Sequence, residues 1–235
     1  MNSDNGKNKI IVAFDNDPDD GLCLVDKIEQ CSELDDMIYG YKVGSIWVLD
    51  HGVNVIEELF NTIIGDHKII VDMQKWPADI PDIVIKQVDK ISDTCCVDEI
   101  IACPMGGGRK SLEFFVNESK KYGMRPLCVL EMTHPESDSY LKPRYWMNIL
   151  HDAASFGIDG FVIPATKSPK YEIKEYLDIN FEYLNTEFYS LGFRAQQGQI
   201  EPMKQFGVNK FIMGRGIYEI EEPIQAIKEI YEDIN

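Results

Sequence analysis

Three closely spaced charged residues, Asp72, Lys75 and Asp79, are the part of this sequence best suited to chemistry. They follow a short apolar run, Lys68–Val71, whose β-branched composition is typical of a buried strand. Two flanking carboxylates keep a lysine ionised and fix its position. Such an array offers a proton donor in a negatively charged site, which suits a reaction that forms a carbanion and then protonates it. The alternative is an ion-pair network at the surface.

The composition limits the classes of function. The chain has 235 residues, 44% of them hydrophobic, which is enough for one large domain or two small ones with a buried core. Its net charge of −17 repels phosphates, so we expect no nucleic-acid partner. No apolar run is long enough to cross a membrane, and Met1–Lys9 lacks an apolar signal core, so we expect a cytoplasmic protein. The six cysteines lack zinc-site spacing and are expected to be reduced thiols.

Short apolar runs alternate with amphipathic stretches along the whole chain. This pattern predicts an α/β protein of the (β/α)8 TIM barrel class. A doubly wound open sheet is the alternative, but its first turn is usually glycine-rich, whereas the turn here, Asp15–Asp20, is acidic. We expect residues 1–8 to be a flexible tail and residues 9–235 to form a single barrel domain. The predicted strands are Ile10–Phe14, Ile38–Val43, Lys68–Val71, Glu99–Cys103, Leu127–Leu130, Gly160–Ile163, Glu187–Ser190 and Lys210–Met213. One predicted helix begins at Pro18. The other predicted helices are Val53–Ile64, Asp82–Ile91, Ser111–Tyr122, Arg144–Phe156, Tyr171–Leu177 and Pro223–Tyr231.

The ends of the predicted strands carry the candidate site residues, because barrel enzymes place their chemistry there. Asp15 and Lys42 end the first two strands, beside the Asp72 to Asp79 array at the end of the third, so these charges could converge. Thr133 follows the fifth strand, where its hydroxyl could bond a substrate carbonyl or amide.

The ends of the last two strands predict a phosphate site. Gly192–Gly198 and Met213–Tyr218 combine glycines, whose backbone amides can approach phosphate oxygens, with the amide of Gln196 and the guanidinium of Arg215. The alternative is a tight turn whose arginine pairs with a surface carboxylate.

Six segments together resemble the orotidine 5′-monophosphate decarboxylase family, particularly its archaeal branch. They occur in the family's order across the whole chain. The resemblance implies a (β/α)8 barrel that works as a homodimer without cofactor or metal. It implies decarboxylation of orotidine 5′-monophosphate to uridine 5′-monophosphate in de novo pyrimidine biosynthesis. The segments are Val12–Asp15, Tyr41–Gly44, Asp72–Pro81, Leu130–Pro135, Gly192–Gly198 and Met213–Tyr218.

The resemblance also implies a catalytic set of four residues. Lys42 would bridge the ribose and the charged array, and Asp72 would lie near the departing carboxylate. Lys75 would protonate C6 of the pyrimidine. Asp79 would reach the partner subunit's site.

The substrate-binding residues implied by the resemblance come from four strand ends. Asp15 would bind a ribose hydroxyl, and Thr133 stands where a serine usually meets the pyrimidine. Gln196, Gly214 and Arg215 would hold the phosphate.

The match is imperfect at the charged array. The family has Asp-x-Lys-x-x-Asp, whereas this chain has two more residues between Asp72 and Asp79. By strand alternation Gln74 rather than Lys75 would point with Asp72, unless the strand has ended or bulges. Ile83 also stands where the family usually has a threonine. Three functions therefore remain open: an active decarboxylase, a metal-dependent sugar-phosphate decarboxylase or aldolase of the same barrel group, and a non-catalytic nucleotide-phosphate binder.

Overall fold

Eight parallel strands form a closed barrel in which β8 pairs with β1. The structure, a computed structural model, describes residues 7–73, 78–137, 139–193 and 196–235. The predicted (β/α)8 barrel is confirmed, and each predicted strand lies within two residues of an observed one at either end. The strands are β1 (Lys9–Phe14), β2 (Ile38–Gly44), β3 (Lys68–Asp72), β4 (Glu99–Ala102), β5 (Arg125–Val129), β6 (Gly160–Pro164), β7 (Glu187–Leu191) and β8 (Lys210–Met213).

Helices surround the barrel and connect successive strands. The first begins with a strong start signal: Pro18 occupies its first turn, and the Asp17 side chain accepts the backbone N–H of Asp19 at 3.0 Å. Three short helices, α2, α8 and α9, were not predicted, because none is long enough to show a helical hydrophobic period. The helices are α1 (Pro18–Glu29), α2 (Ser45–His51), α3 (Val55–Thr62), α4 (Pro81–Ser92), α5 (Gly108–Lys121), α6 (Tyr145–Ser155), α7 (Glu172–Asn180), α8 (Ile200–Phe206), α9 (Arg215–Tyr218) and α10 (Pro223–Ile234).

Alternation along the strands separates two hydrophobic layers. In β1, Ile10, Val12 and Phe14 face the helices, whereas Ile11 and Ala13 face the barrel interior. The other strands repeat this division except β2, where Tyr39 packs against the interior cluster and Tyr41 belongs to the outer one. The interior is a separate, smaller cluster of apolar side chains. The period of two therefore decides which residue beyond each strand end points into the barrel.

The end of the barrel opposite the predicted site is closed by a charged and aromatic layer. Glu99, which is 2% exposed, accepts hydrogen bonds from the hydroxyls of Tyr39 and Tyr189, both at 2.8 Å. Arg125 binds Glu99 at 3.2 Å and Glu187 at 2.6 Å. A shift of register, in which Ile10 pairs with Ile38 and Ile11 with Gly40, leaves Tyr39 unpaired with β1 and lets it join this layer.

Contacts with the chain end begin at Asn8. Its backbone N–H donates to the side chain of Asn235 at 3.0 Å, and its side-chain amide donates to the carbonyl of Ile234. Residues 1–6 of the predicted N-terminal tail lie outside the described residues, and Lys7 is exposed.

Candidate active site

A cavity of about 310 Å³ opens at the carboxyl ends of the strands. Alternation places its polar side chains. Asp15 follows the inward-facing Ala13 by two residues, and Asp72 follows the inward-facing Ile70 in the same way. Lys42, on β2, also points into this cavity. Three of the five charges predicted to converge from the first three strands therefore share one cavity.

Lys42 and Asp72 form a buried ion pair in the floor of the cavity. Lys42 Nζ lies 3.0 Å from Asp72 Oδ2, and the two side chains are only 4% and 6% exposed. Burial lowers the pKa of Lys42, but the charges of Asp72 and Asp15 and the hydrogen bond to Asp72 outweigh it, so the pKa lies above the ordinary lysine value. Lys42 is therefore a fixed cation that keeps its proton across the physiological pH range.

A glycine and a tyrosine shape the surroundings of Asp15. A Cβ at Gly44 would lie 2.4 Å from Asp15 Oδ1, so only glycine lets that carboxylate approach the end of β2. Tyr218 lines the cavity near the same carboxylate. Burial and the charge of Asp15 raise the pKa of Tyr218, so its hydroxyl stays protonated and can donate a hydrogen bond.

The loop after β7 closes on itself between two glycines. The backbone N–H of Gly198 donates to the carbonyl of Gly192 at 3.0 Å. A Cβ at Gly198 would lie 2.4 Å from that carbonyl oxygen, and Gly192 has a positive φ of 94°. Gln196 lines the cavity, and its Oε1 lies 3.0 Å from the position that a Gly192 Cβ would take. Gln196 is thus among the described residues that line the cavity, and its role in binding phosphate stays a prediction.

Arg215 and Gly214 form the neighbouring part of the wall, immediately after β8. The alternative in which Arg215 pairs with a surface carboxylate is not seen: in the described part of the chain no ion pair involves this side chain. Its guanidinium is exposed at the mouth of the cavity. An arginine with no carboxylate partner among the described residues, in a cavity wall that Gly214 and Gln196 also line, is suited to binding an anion such as phosphate.

The loop after β5 brings Thr133 into the cavity. Its carbonyl accepts a hydrogen bond from Thr166 Oγ1 at 2.6 Å, which ties it to the loop after β6. The cavity also includes Glu131, which the sequence analysis did not place in the site. Strand alternation could have identified it, because Val129 faces the barrel interior and Glu131 follows two residues later.

Two predicted catalytic residues are not part of this cavity as described. Lys75 lies outside the described residues, as does Gln74, so the predicted direction of the lysine stays a prediction. Asp79 is exposed and is not among the described residues that line the cavity. Its Oδ1 accepts the backbone N–H of Ile80 at 2.7 Å, and its carbonyl accepts Ser111 Oγ at 2.6 Å. These bonds fix the chain just before α4.

Seven predicted site residues therefore line one cavity. The same cavity is lined by apolar strand residues, among them Ile101, Val129 and Ile212. Within residues 7–73, 78–137, 139–193 and 196–235, no group of three His, Cys, Asp or Glu side chains is arranged to hold a metal ion. The seven are Asp15, Lys42, Asp72, Thr133, Gln196, Gly214 and Arg215.

A (β/α)8 barrel with a phosphate-type wall after its last two strands and an Asp/Lys floor defines a class of phosphate-ligand enzymes. The sequence matches the Orotidine 5'-phosphate decarboxylase / HUMPS family over residues 8–230. Similar curated proteins are the orotidine 5'-phosphate decarboxylases of Methanosarcina mazei and Methanococcoides burtonii. The first is 32% identical, covering 82% of each chain, and the second is 27% identical, covering 97% of this chain and 98% of its own.

Solved structures agree with these relatives. The orotidine 5'-monophosphate decarboxylase of Methanocaldococcus jannaschii complexed with the inhibitor BMP is 27% identical to this chain, with a TM-score of 0.81. The match covers 97% of this chain and 99% of that one. The chain belongs to the Orotidine 5'-phosphate decarboxylase / HUMPS family, which confirms the resemblance inferred from its motifs.

Proposed function

We propose that this protein converts orotidine 5′-monophosphate to uridine 5′-monophosphate and CO₂ as a cofactor-independent decarboxylase of pyrimidine biosynthesis. The observation that carries the proposal is the buried Lys42–Asp72 pair, 3.0 Å apart, in the cavity that Arg215 and Gln196 also line. A nucleotide that also carries a carboxylate would place its phosphate at Arg215 and Gln196 and its carboxylate near the Lys42–Asp72 pair. The family membership supports the same reaction.

The proposed chemistry breaks the bond between C6 and the carboxylate carbon. CO₂ leaves, and its bonding electron pair remains on C6 as a vinylic carbanion, which has little internal stabilisation. Asp72 lies near the departing carboxylate and destabilises the bound substrate by charge repulsion. The Lys75 ammonium stabilises the carbanion and gives it a proton. Lys42 holds Asp72 in place through the 3.0 Å contact.

The remaining residues provide binding energy away from the reacting bond. Gln196, Gly214 and Arg215 hold the phosphate, Asp15 binds a ribose hydroxyl, and Thr133 meets the pyrimidine. Because the phosphate is remote from C6, its binding energy can be used to position the reacting end of the nucleotide. We propose that residues 9–235 form the single domain that carries both the binding residues and the catalytic residues.

We further propose a homodimer in which Asp79 serves the partner subunit's site. Apolar side chains are exposed next to that residue and on the helix after β2: Ile80 is 63% exposed, Leu49 76% and Ile46 42%. Burial of these side chains against a second copy would remove them from water.

The proposed location is the cytoplasm. All six cysteines are free thiols, which suits a reducing compartment. In the described part of the chain, no helix combines the length and apolarity needed to span a bilayer.

The decisive experiment measures turnover of orotidine 5′-monophosphate by chelator-treated protein. The readout is the loss of absorbance of the orotate ring. We expect turnover in wild type and its loss in Lys75→Ala. The control is Lys86→Ala, which removes an exposed lysine of α4 and should keep the wild-type activity. Loss of activity in Gln74→Ala rather than Lys75→Ala would show that the proton donor has been assigned wrongly. Turnover of a sugar phosphate only with Mg²⁺ would refute the proposed reaction.

Subunit complementation tests the role of Asp79. Lys75→Ala and Asp79→Ala should each be inactive alone. Mixed after dissociation and reassociation, they should regain about a quarter of the wild-type activity, because half of the dimers are hybrids with one intact site. Mixtures that stay inactive would place Asp79 in the site of its own subunit, and an Asp79→Ala variant that is active alone would place it outside any site.

A further inference from the structure

Glu131 is a buried carboxylate in the cavity wall that the proposed reaction does not use. It is 6% exposed and follows β5. Two ammonium groups from the segment after β6 reach it. Lys170 Nζ hydrogen-bonds to Glu131 Oε2, and Lys167 Nζ lies 3.8 Å from Oε1. Neither lysine is among the described residues that line the cavity.

The two lysines are themselves fixed by neighbours. Lys170 Nζ lies 5.5 Å from the centre of the Trp146 ring, and Trp146 is buried. Lys167 Nζ donates to Ser137 Oγ at 3.3 Å. These contacts join the loops after β5 and β6, the same two loops that are joined by the Thr166–Thr133 hydrogen bond. The position of Thr133 in the cavity therefore depends on this junction.

The negative charge of Glu131 affects binding because the proposed ligand of the cavity is itself an anion. On the proposed function, the ligand brings a phosphate and a carboxylate into a space that already holds Asp15 and Asp72. Of the two lysine and arginine side chains in the described wall, Lys42 is committed to Asp72, and Arg215 faces the phosphate position. A third carboxylate would repel the ligand unless a cation outside the wall cancelled its charge.

We propose that Lys170, assisted by Lys167, is a positioning and specificity-determining residue that cancels the charge of Glu131 and so allows an anionic nucleotide to enter. The inference rests on the proposed function for the identity of the ligand. It explains how the Glu131 carboxylate can line a cavity that binds an anionic nucleotide. The interaction acts on binding of the ligand rather than on the proton transfer.

A double-mutant cycle tests this proposal with Lys170→Met, Glu131→Gln and the combined variant. Lys170→Met should raise KM for orotidine 5′-monophosphate roughly tenfold, the order expected for one uncompensated charge near an anion, with a much smaller change in kcat. The loss should shrink at high ionic strength. The combined variant should recover to within about threefold of Glu131→Gln, because no charge is then left uncompensated. Lys170→Arg should keep the wild-type KM.

Lys174→Met is the matched control. It removes a lysine of α7 with the same change in net charge, but Lys174 donates to the carbonyl of Phe206 at 2.9 Å and not to the cavity wall. Its KM should equal that of wild type. A combined variant as weak as Lys170→Met alone would overturn the proposal, because the lysine would then act through packing.

Calorimetric binding of uridine 5′-monophosphate and inorganic phosphate separates this inference from the proposed function. Wild type that binds the nucleotide without turning over the substrate would refute the reaction, and the binding cycle would still decide the role of Lys170. Equal nucleotide affinity of wild type and Lys170→Met would refute the inference and leave the reaction standing. Wild type that binds neither probe would overturn both.

Discussion

The buried Lys42–Asp72 pair should have separable effects on stability and on catalysis. Asp72→Asn leaves the Lys42 ammonium, 4% exposed, without its hydrogen-bonded carboxylate. Breaking one partner of a buried pair costs about 3–5 kcal/mol. We expect the lower end, about 3 kcal/mol, because the charge of Asp15 also acts on Lys42. For a chain of this size, that loss corresponds to a fall in Tm of roughly 6–12 °C.

The double variant Lys42→Met/Asp72→Asn removes both charges. It should be more stable than Asp72→Asn and within about 1 kcal/mol of wild type, since neutral replacement of a buried pair is often tolerated. It should nevertheless be inactive. Urea unfolding followed by circular dichroism measures the free energy of unfolding, and turnover of orotidine 5′-monophosphate measures catalysis. Asp93→Asn is the control, because its Lys90 partner is 2.8 Å away but both side chains are exposed.

The pH dependence has a defined sign. The pKa of Lys42 is raised in the folded state, so its contribution to stability is complete below the ordinary lysine pKa and is lost only as the pH rises through the raised value. The stability difference between wild type and Asp72→Asn that arises from Lys42 should therefore be constant from about pH 6 to 9. A double variant that is less stable than Asp72→Asn would refute the reasoning, because the pair would then stabilise the fold beyond satisfying its own charges.

Three further predictions follow from the site and its supports. Arg215→Met should raise KM by roughly 10- to 100-fold, equivalent to about 1.5–3 kcal/mol for a hydrogen bond to a charged group, and addition of guanidinium ion should partly restore affinity in the kinetic assay. Gly198→Ala places a Cβ 2.4 Å from the Gly192 carbonyl oxygen, so the loop must move, and urea unfolding should show a loss of about 1–3 kcal/mol together with weaker phosphate binding. For Glu29, burial raises the pKa, but hydrogen bonds from Tyr41 and the loop amides lower it overall, below the usual 4.5. The advantage of wild type over Glu29→Gln should therefore be present above about pH 4.5 and lost as the pH falls through the lowered pKa, which acid titration of the unfolding free energy would show.

Much of the fold could be predicted because strands buried on both faces are continuous apolar runs with sharp ends. The short helices α2, α8 and α9 could not, because they span too few residues to show a helical period. The shift of register in β2 also has no sequence signal, since it depends on how Tyr39 packs against residues from distant strands.

The site was predictable where a side chain continues the alternation of its strand. Asp15, Asp72 and Gly214 obey this rule, and Glu131, which was not among the predicted site residues, obeys it as well. The lysines that neutralise Glu131 could not be identified, because the contact joins two loops whose approach is decided by tertiary packing. The direction of Lys75 remains a prediction for a different reason: one additional residue between Asp72 and Lys75 interrupts the strand period on which the argument depends.

The charged layer at the closed end of the barrel has a consequence for how the molecule can be divided. Cutting the chain between β4 and β5 would leave Tyr39 and Glu99 in one fragment and Arg125, Glu187 and Lys210 in the other. The first fragment would then carry the buried Glu99, whose partners Arg125 and Tyr189 belong to the other half, and the second would lose one carboxylate partner of Arg125. Two copies of the first half would therefore leave Glu99 without Arg125, whereas the two different halves restore the contact. The layer makes each half of the barrel recognise the other, and it favours the complete chain over a pairing of identical fragments.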